Sequence, residues 1–201
     1  MNKNDALGEG MVRCEVCGTA VPGYDTVHYG SIEGGYRRLC TLCFNAEVAS
    51  AQGLEGFENV RLSQVVMYDS AGEAHEFHFR TRLFGPRLAL DAFELKHGGP
   101  GGYQFRIVGD PEGDILSLLG RLVERMRRRL AVKHLERSEH GLQIAGQTVR
   151  AHISWDDTQD GHAPLLVIDG REVSWEEFGH MLMTFEGWQF RMEIVDSSDE
   201  V

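Results

Sequence analysis

This sequence has no long apolar run and little positive charge. No stretch of its 201 residues approaches the roughly eighteen consecutive apolar residues that a membrane-spanning helix needs, so we expect no membrane span. There are 20 Lys and Arg side chains against 31 Asp and Glu side chains, which gives a formal net charge of −11. Because binding to nucleic acid depends on phosphate neutralisation by clustered cations, this charge argues against a simple DNA-binding or RNA-binding role.

Catalytic sequence motifs are also missing. The chain contains neither a Gly-x-Ser-x-Gly nucleophile turn nor a His-Glu-x-x-His metal motif. Cysteine is scarce, and all four cysteines lie between residues 14 and 43. The sequence therefore favours a binding protein over an enzyme. An enzyme with hydrolytic or phosphate-processing chemistry is the weaker alternative, since a single sequence does not show which His and carboxylate side chains converge.

The four cysteines form two Cys-x-x-Cys pairs separated by 22 residues: Cys14 with Cys17, and Cys40 with Cys43. Two residues between paired cysteines allow one tight turn to direct both sulfurs at one ion. Gly18 suits the first turn because it has no Cβ. Four thiolates in a tetrahedron are a preferred ligand set of Zn²⁺. We therefore predict one structural Zn²⁺ held by these four cysteines, with no open position for a substrate.

Three alternatives to zinc follow from the same cysteines. Two disulfides would require an oxidising compartment, but the polar residues 1–5 do not resemble a signal peptide, and we expect a cytoplasmic protein with reduced thiols. A redox dithiol normally follows a strand of a thioredoxin-like unit, and two pairs at finger spacing argue against that role. Iron is chemically reasonable in a four-sulfur site, but ligand softness and geometry favour zinc.

The segment around the cysteines resembles the treble-clef class of zinc fingers over about residues 11–53. Short strands are predicted at 26–29 and 36–39, and a helix is predicted from the second cysteine pair to Gly53. The resemblance implies a knuckle, a hairpin and a helix that together hold a structural metal. A zinc ribbon is the competing class, and the helix after Cys43 argues against it. The remainder of the chain resembles uncharacterised bacterial zinc-finger proteins, a resemblance that implies no activity.

We predict two domains, a zinc finger over residues 1–55 with a disordered extreme N-terminus and an α+β domain over residues 56–201. Alternating apolar residues and turn signals predict a mainly antiparallel sheet with two packed helices in the second domain. Its predicted elements are a β-meander over 60–109, a long helix over 111–137, a β-hairpin region over 142–173, a helix over 175–185 and a strand over 188–195.

Capping signals mark the start of both helices of the α+β domain. Asp110 precedes Pro111 and an acidic first turn, so we predict that Asp110 caps the long helix. Ser174 and Glu177 have the spacing of a capping box, in which each side chain accepts a hydrogen bond from the other residue's amide. The second helix is therefore predicted to begin directly after Ser174.

Two further motifs resemble metal sites without supporting them. His75 and His78 form a His-x-x-His motif, but they lie on a predicted strand, where residues three apart point to opposite faces. Residues 156–161 resemble part of a calcium loop, but Val167 stands where a calcium loop requires its last carboxylate. We expect no second metal site at either place.

The few cations are clustered in two places. Two lie in the predicted finger hairpin and four lie close together on the predicted long helix: Arg37 and Arg38, and Arg121, Arg125, Arg128 and Arg129. These six side chains are candidates for binding an anionic partner, either an acidic protein or a nucleic acid. The alternative is a solvated helix face whose cations complement the helix dipole. The acidic end of the chain, residues 196–201, is expected to be a solvated terminus.

A closed metal site, an acidic surface and an α+β body fit an adaptor or regulatory protein that acts through a protein partner. A nucleic-acid-binding protein that uses the finger hairpin and the arginine-rich helix is the alternative. The sequence carries no signal for the oligomeric state.

Overall fold

A computed structural model describes residues 10–139, 141–156 and 162–199. The extreme N-terminus predicted to be disordered, most of the calcium-like loop and the last two residues of the acidic end lie outside the described residues. The described part contains three α-helices and thirteen strands, and its strand pairs are antiparallel, which confirms the α+β fold class. None of the described helices is long and apolar enough to cross a bilayer.

The N-terminal segment consists of two hairpins followed by a helix. Strand β1 (Met11–Arg13) pairs with β2 (Ala20–Pro22), and β3 (Thr26–Ser31) pairs with β4 (Gly35–Cys40). Helix α1 (Thr41–Gln52) follows β4 directly and ends at Gly53, whose positive φ of 69° directs its amide back to the carbonyls of the last turn. Both predicted strands and the predicted helix stop match this segment.

A four-stranded sheet follows in chain order: β5 (Val65–Tyr68), β6 (Ala74–Phe84), β7 (Arg87–Lys96) and β8 (Gly99–Gly109). The meander predicted over 60–109 corresponds to these four strands. Strand β5 pairs only with the first residues of β6, so the outer edge of β6 beyond Phe77 has no strand neighbour in the described part of the chain. One face of the sheet carries the main core. Helix α1, which precedes the sheet in the chain, and the long helix that follows the sheet both pack on this core.

The long helix is shorter than predicted at both ends. Helix α2 spans Ile115–Leu130, not 111–137, and its cap is Asp114 instead of Asp110. The Asp110 carboxylate accepts a hydrogen bond from the amide of Glu112 within the preceding turn, so it caps that turn and not the helix. At the other end, the helix stops at Leu130, and the chain continues into a strand whose first residue, Leu135, packs in a separate core. The buried residues of the helix recur at helical spacing: Ile115, Leu118, Leu122, Met126 and Leu130.

The C-terminal part has its own sheets and its own core. Strands β9 (Leu135–Ser138) and β10 (Gly141–Ile144) form one hairpin. Strands β11 (His152–Trp155), β12 (Pro164–Ile168) and β13 (Arg171–Ser174) form a three-stranded sheet in that order. Strands β10 to β13 lie in the hairpin region predicted over 142–173. Helix α3 (Trp175–Leu182) begins with the predicted capping box and continues as a short 3-10 turn to Phe185.

The strand predicted over 188–195 is absent. These residues are described, but they pair with no other strand. The alternating apolar side chains that suggested it are largely exposed: Trp188, Phe190, Met192 and Ile194. An alternating pattern makes a strand only where a neighbouring edge offers free amides and carbonyls. Here the segment passes beside the sheets without joining one, and the prediction is therefore wrong.

Candidate functional site

The first cysteine pair lies in the turn between β1 and β2. The amide of Cys14 donates to the carbonyl of Thr19 at 2.9 Å, and the amide of Gly18 donates to the carbonyl of Cys14 at 3.0 Å. Gly18 has a φ of 73°, the left-handed conformation that a residue without Cβ adopts without strain. The turn that the sequence indicated around Gly18 therefore forms, and it directs Cys14 and Cys17 to the same side.

The second cysteine pair lies at the start of α1. Cys40 is the last residue of β4 and the residue that precedes the helix, and Cys43 lies in the first helical turn. The hydroxyl of Thr41 donates to the carboxylate of Asp25 at 2.6 Å. This contact fixes the start of the helix to the short 3-10 turn Gly23–Asp25, which precedes β3. Free amides and the positive end of the helix dipole therefore lie beside the two sulfurs, a setting that favours thiolate.

The four sulfur atoms converge on one point. All of them lie within 4.8 Å of one another, and the Cys17 and Cys40 sulfurs are 3.9 Å apart. A tetrahedral thiolate site with metal–sulfur bonds of about 2.3 Å has sulfur–sulfur edges of about 3.8 Å. A disulfide would need about 2.05 Å instead. The four cysteines are therefore unbridged and positioned to bind one metal ion.

The ionisation of these sulfurs is uneven when no cation balances them. Hydrogen bonds from the hydroxyl and amide of Thr19 lower the pKa of Cys17 to about 6. Burial and the neighbouring sulfurs raise the pKa of Cys43 well above its usual range. Four thiolates within contact of one another repel, so a bound cation is what allows all of them to ionise together. The ligand set thus fits a soft divalent metal.

A buried side chain, Asn45, joins the helix of the four-cysteine site to the sheet. Asn45, on the second turn of α1, is completely buried. Its amide nitrogen donates to the carbonyl of Thr81 at 2.9 Å, and its amide oxygen accepts from the amide of Leu83 at 2.9 Å. Both partners are backbone groups of β6, at the edge that β5 leaves unpaired. Asn45 therefore replaces a neighbouring strand, and Val48 and Ala49 of the same helix enter the main core.

The six arginines singled out from the sequence do not form one surface. Arg37 is ion-paired with Glu47 at 2.7 Å, and Arg38 lies 3.6 Å from Glu15, both half-exposed on the finger hairpin. Arg121 is exposed on α2. The remaining three, Arg125, Arg128 and Arg129, line one groove.

This arginine groove has a volume of about 550 Å³ and lies between α2, β8, residues 149–153 and the acidic residues 193–199. Its cationic or potentially cationic side chains are Arg106, Arg125, Arg128, Arg129, Arg150 and His152. Burial and neighbouring cations lower the pKa of Arg125 and of Arg129, and burial beside Arg106 lowers that of His152. The sequence did not indicate Arg106, Arg150 and His152, because they lie on strands and loops far from α2 along the chain.

A second buried group of charged residues lies where the sheet meets the end of α2. His75 contacts Asp69 through Nε2 at 3.2 Å and Glu94 through Nδ1 at 3.0 Å, and Lys133 contacts the same carboxylate oxygen of Asp69. Although burial opposes it, the Lys133 ammonium holds the pKa of Asp69 well below its usual range. We call these four residues the polar junction. The Lys133 ammonium and the His75 ring contact its two carboxylates, an arrangement that is typical of a structural polar network.

His75 and His78 do not share a site. His75 is buried in the polar junction, whereas His78 lies on the other face of β6, 3.3 Å from Glu76. Asp69, Glu73 and His75 have ligand atoms within 4.8 Å of one another, a group that the sequence did not indicate. Because Lys133 already contacts Asp69, the ion pair supplies the positive charge that a metal would bring.

Three family models match successive parts of the chain, and each is described as a domain of unknown function. DUF7685 matches residues 13–55, DUF7686 matches residues 58–131, and DUF7713 matches residues 134–199. No curated protein and no solved structure matches the chain significantly. The first match contains the four-cysteine site, the second the sheet and α2, and the third the C-terminal core; their descriptions name no activity.

Proposed function

We propose that residues 11–53 form a treble-clef finger around one structural Zn²⁺, and that the protein is an adaptor or regulatory protein acting through a protein partner. The observation that carries this proposal is the convergence of four cysteine sulfurs within 4.8 Å of one another. Four protein ligands complete the coordination shell of Zn²⁺ and leave no position for water or substrate. Such a metal stabilises a fold and does no chemistry of its own.

The local structure supports the treble clef over the zinc ribbon. One cysteine pair lies in a hairpin turn and the other at the start of a helix, with the β3–β4 hairpin between them. A zinc ribbon would place both pairs in hairpin turns. Zinc is preferred over iron because a closed tetrahedral thiolate site suits an ion with no geometric preference of its own.

The metal assignment is tested on the full chain purified under reducing conditions. Elemental analysis is expected to find one zinc ion per chain. Replacement by Co²⁺ is expected to give the visible absorption of a tetrahedral thiolate complex. Iron in place of zinc, or no bound metal, would overturn the assignment.

An adaptor role is supported by the contacts of the four-cysteine segment and by the form of the arginine groove. Asn45 holds the finger on the sheet, so the finger and the main core present one continuous surface. The arginine groove is an open cleft beside an edge strand, a form that suits docking of an extended segment.

The adaptor role is tested by purifying the full chain from its native cells after nuclease treatment. We expect one protein to remain bound in a fixed stoichiometry. If no protein remains bound in fixed proportion, or if nuclease releases the bound material, the adaptor proposal fails.

Nucleic-acid binding is the second candidate, and the convergence of Arg125, Arg128 and Arg129 in one groove favours it. Its test is the affinity for single-stranded and double-stranded oligonucleotides as a function of salt. A steep linear fall of log K with log salt, removed by Arg128→Ala, would support nucleic-acid binding. Unchanged affinity in Arg128→Ala would refute a role for the groove in it.

A further inference from the structure

The acidic end of the chain lies against the arginine groove. Residues Glu193, Asp196 and Asp199 lie along one wall of the cleft, opposite the arginines. The sequence suggested a solvated terminus, and the described residues 196–199 are largely exposed. Two of them, Ser198 and Asp199, also contact Arg125 through their backbone carbonyls. Opposite charges have therefore been brought together from the last residues of the chain and from α2, about seventy residues earlier.

Arg125 makes the central contact. Its guanidinium donates to the backbone carbonyl of Ser198 at 3.1 Å and to the backbone carbonyl of Asp199. The same guanidinium donates to the carbonyl of Arg106 at 2.6 Å, which fixes it at the edge of β8. The groove thus binds a peptide backbone of this chain, and acidic side chains of the same segment line it.

The side chain of Arg106, which also lines the groove, is oriented by an ion pair. Its Nε donates to Asp91 Oδ1 at 2.6 Å and its terminal nitrogen to Asp91 Oδ2 at 3.2 Å, so the side chain is oriented by a bidentate ion pair. Asp91 also binds Arg80, so its one negative charge is shared between two cations. An electropositive excess therefore remains at the groove. Hydrogen bonds from Ser198 lower the pKa of Asp196, and the nearby Arg106 guanidinium lowers it further.

We propose that the arginine groove binds an acidic peptide segment of a partner protein, and that residues 195–199 of this chain compete for the same arginines. The inference rests on the proposed adaptor function and names the chemistry of its partner. The partner segment carries two or more carboxylates, like the chain's own residues 193–199. Its docking displaces the acidic end from Arg125.

A peptide suits the groove better than a nucleic acid for two reasons. Arg125 donates to backbone carbonyls, which are peptide groups, in the contacts that the structure shows. Phosphates would also have to approach a protein of net charge −11, past the carboxylates of the groove's own wall. An acidic peptide that takes the place of the acidic end replaces one set of carboxylates by another.

The acidic segment belongs to the same chain as the groove, and this covalent link sets how strongly it competes with an external peptide. A segment of the same chain acts at an effective concentration on the order of 1 mM. If the free segment binds with a Kd of about 0.1 mM, the tethered one leaves the groove open in about one chain in ten. Removing its charge is therefore expected to tighten the binding of an external acidic peptide about tenfold.

The experiment uses the full chain and a fluorescent peptide with the sequence of residues 190–201, followed by fluorescence anisotropy. The variant Asp196→Lys/Asp199→Lys is expected to bind the peptide about tenfold more tightly than the wild type. Glu172→Lys/Glu176→Lys changes the net charge equally at exposed positions of β13 and α3, and it is expected to bind as the wild type does. A peptide with Asn and Gln in place of its acidic residues is expected not to bind.

A second pair of variants locates the binding. Arg125→Ala in the Asp196→Lys/Asp199→Lys background is expected to lose most of the affinity, at least tenfold. Arg127→Ala in the same background is the matched control, because Arg127 is exposed on the same helix and pairs with Glu124. Thermal unfolding of both variants checks that each is folded.

Three results would overturn the inference: equal peptide affinity in the wild type and the Asp196→Lys/Asp199→Lys variant, equal affinity for the uncharged peptide, or tighter binding of an oligonucleotide. Different results refute the groove as the binding site and the adaptor role. If a partner protein is found and remains bound to Arg125→Ala, the adaptor role stands and the groove is not its site. If the peptide binds as expected but the full chain retains no protein from cells, the groove stands and the adaptor role falls.

Discussion

Replacing Asn45 by Ala is expected to destabilise the protein by about 2–5 kcal/mol. The substitution leaves two buried backbone groups of β6, the carbonyl of Thr81 and the amide of Leu83, without their partner. Each buried unsatisfied group costs about 1–3 kcal/mol. Ala is a better helix former than Asn by about 0.5 kcal/mol, which offsets a small part of the loss.

The measurement is urea unfolding of the protein purified under reducing conditions, followed by far-UV circular dichroism. Ser50→Ala is the matched control, since Ser50 lies on the exposed side of the same helix and is expected to change the stability by less than about 0.5 kcal/mol. A lower midpoint with an unchanged slope would report a loss of stability without a change of fold. If Asn45→Ala costs no more than Ser50→Ala, the helix does not serve as the neighbour of β6, and the account of how the finger is held is wrong.

Three further substitutions test other parts of the structure. Cys40→Ser is expected to lose the metal and to unfold at least the finger, because structural zinc contributes on the order of 10 kcal/mol to small metal modules; equal melting of the wild type with and without a chelator would contradict this. The lowered pKa of Asp69 means that its pairing with Lys133 stabilises the protein fully above the ordinary value of 3.8 and less as the pH falls below it. Acid unfolding of Asp69→Asn should lack this part of the pH dependence, and an unchanged profile would refute it. Gly170→Ala is expected to cost about 1–3 kcal/mol, because φ is +73° and the new Cβ would lie 2.8 Å from the Tyr103 ring; an unchanged melting temperature would show that Tyr103 moves freely.

Features set by neighbouring residues could be predicted from the sequence. The turn at Gly18, the helix stop at Gly53 and the capping box of Ser174 with Glu177 each depend on a few consecutive residues, and the structure contains all three. The strands of the large sheet follow from alternation and turn residues in the same way. The convergence of the four cysteines follows from their spacing together with the preference of thiolates for one metal.

Features that depend on residues far apart in the chain could not be predicted from the sequence. Asp110 and Asp114 are both acceptable helix caps by sequence, and the turn closed by Asp110 decides between them. The alternation over 188–195 carries no information about whether a free strand edge lies nearby. Asn45 and Arg106 gain their roles only from partners on other elements, Thr81 and Asp91, so no local pattern marks either of them.

The buried contacts cross the boundaries between the three matched segments. Asn45 in the first segment is hydrogen-bonded to the backbone of Thr81 and Leu83 in the second segment. Arg125 in the second segment donates to the carbonyl of Ser198 in the third. Lys133, which follows the second segment, contacts the buried Asp69 within it, so a chain divided directly after residue 131 would separate this carboxylate from its cation. The ends of the three matched segments are therefore poor places to cut this protein, and fragments for expression are better chosen to keep residues 11–185 together.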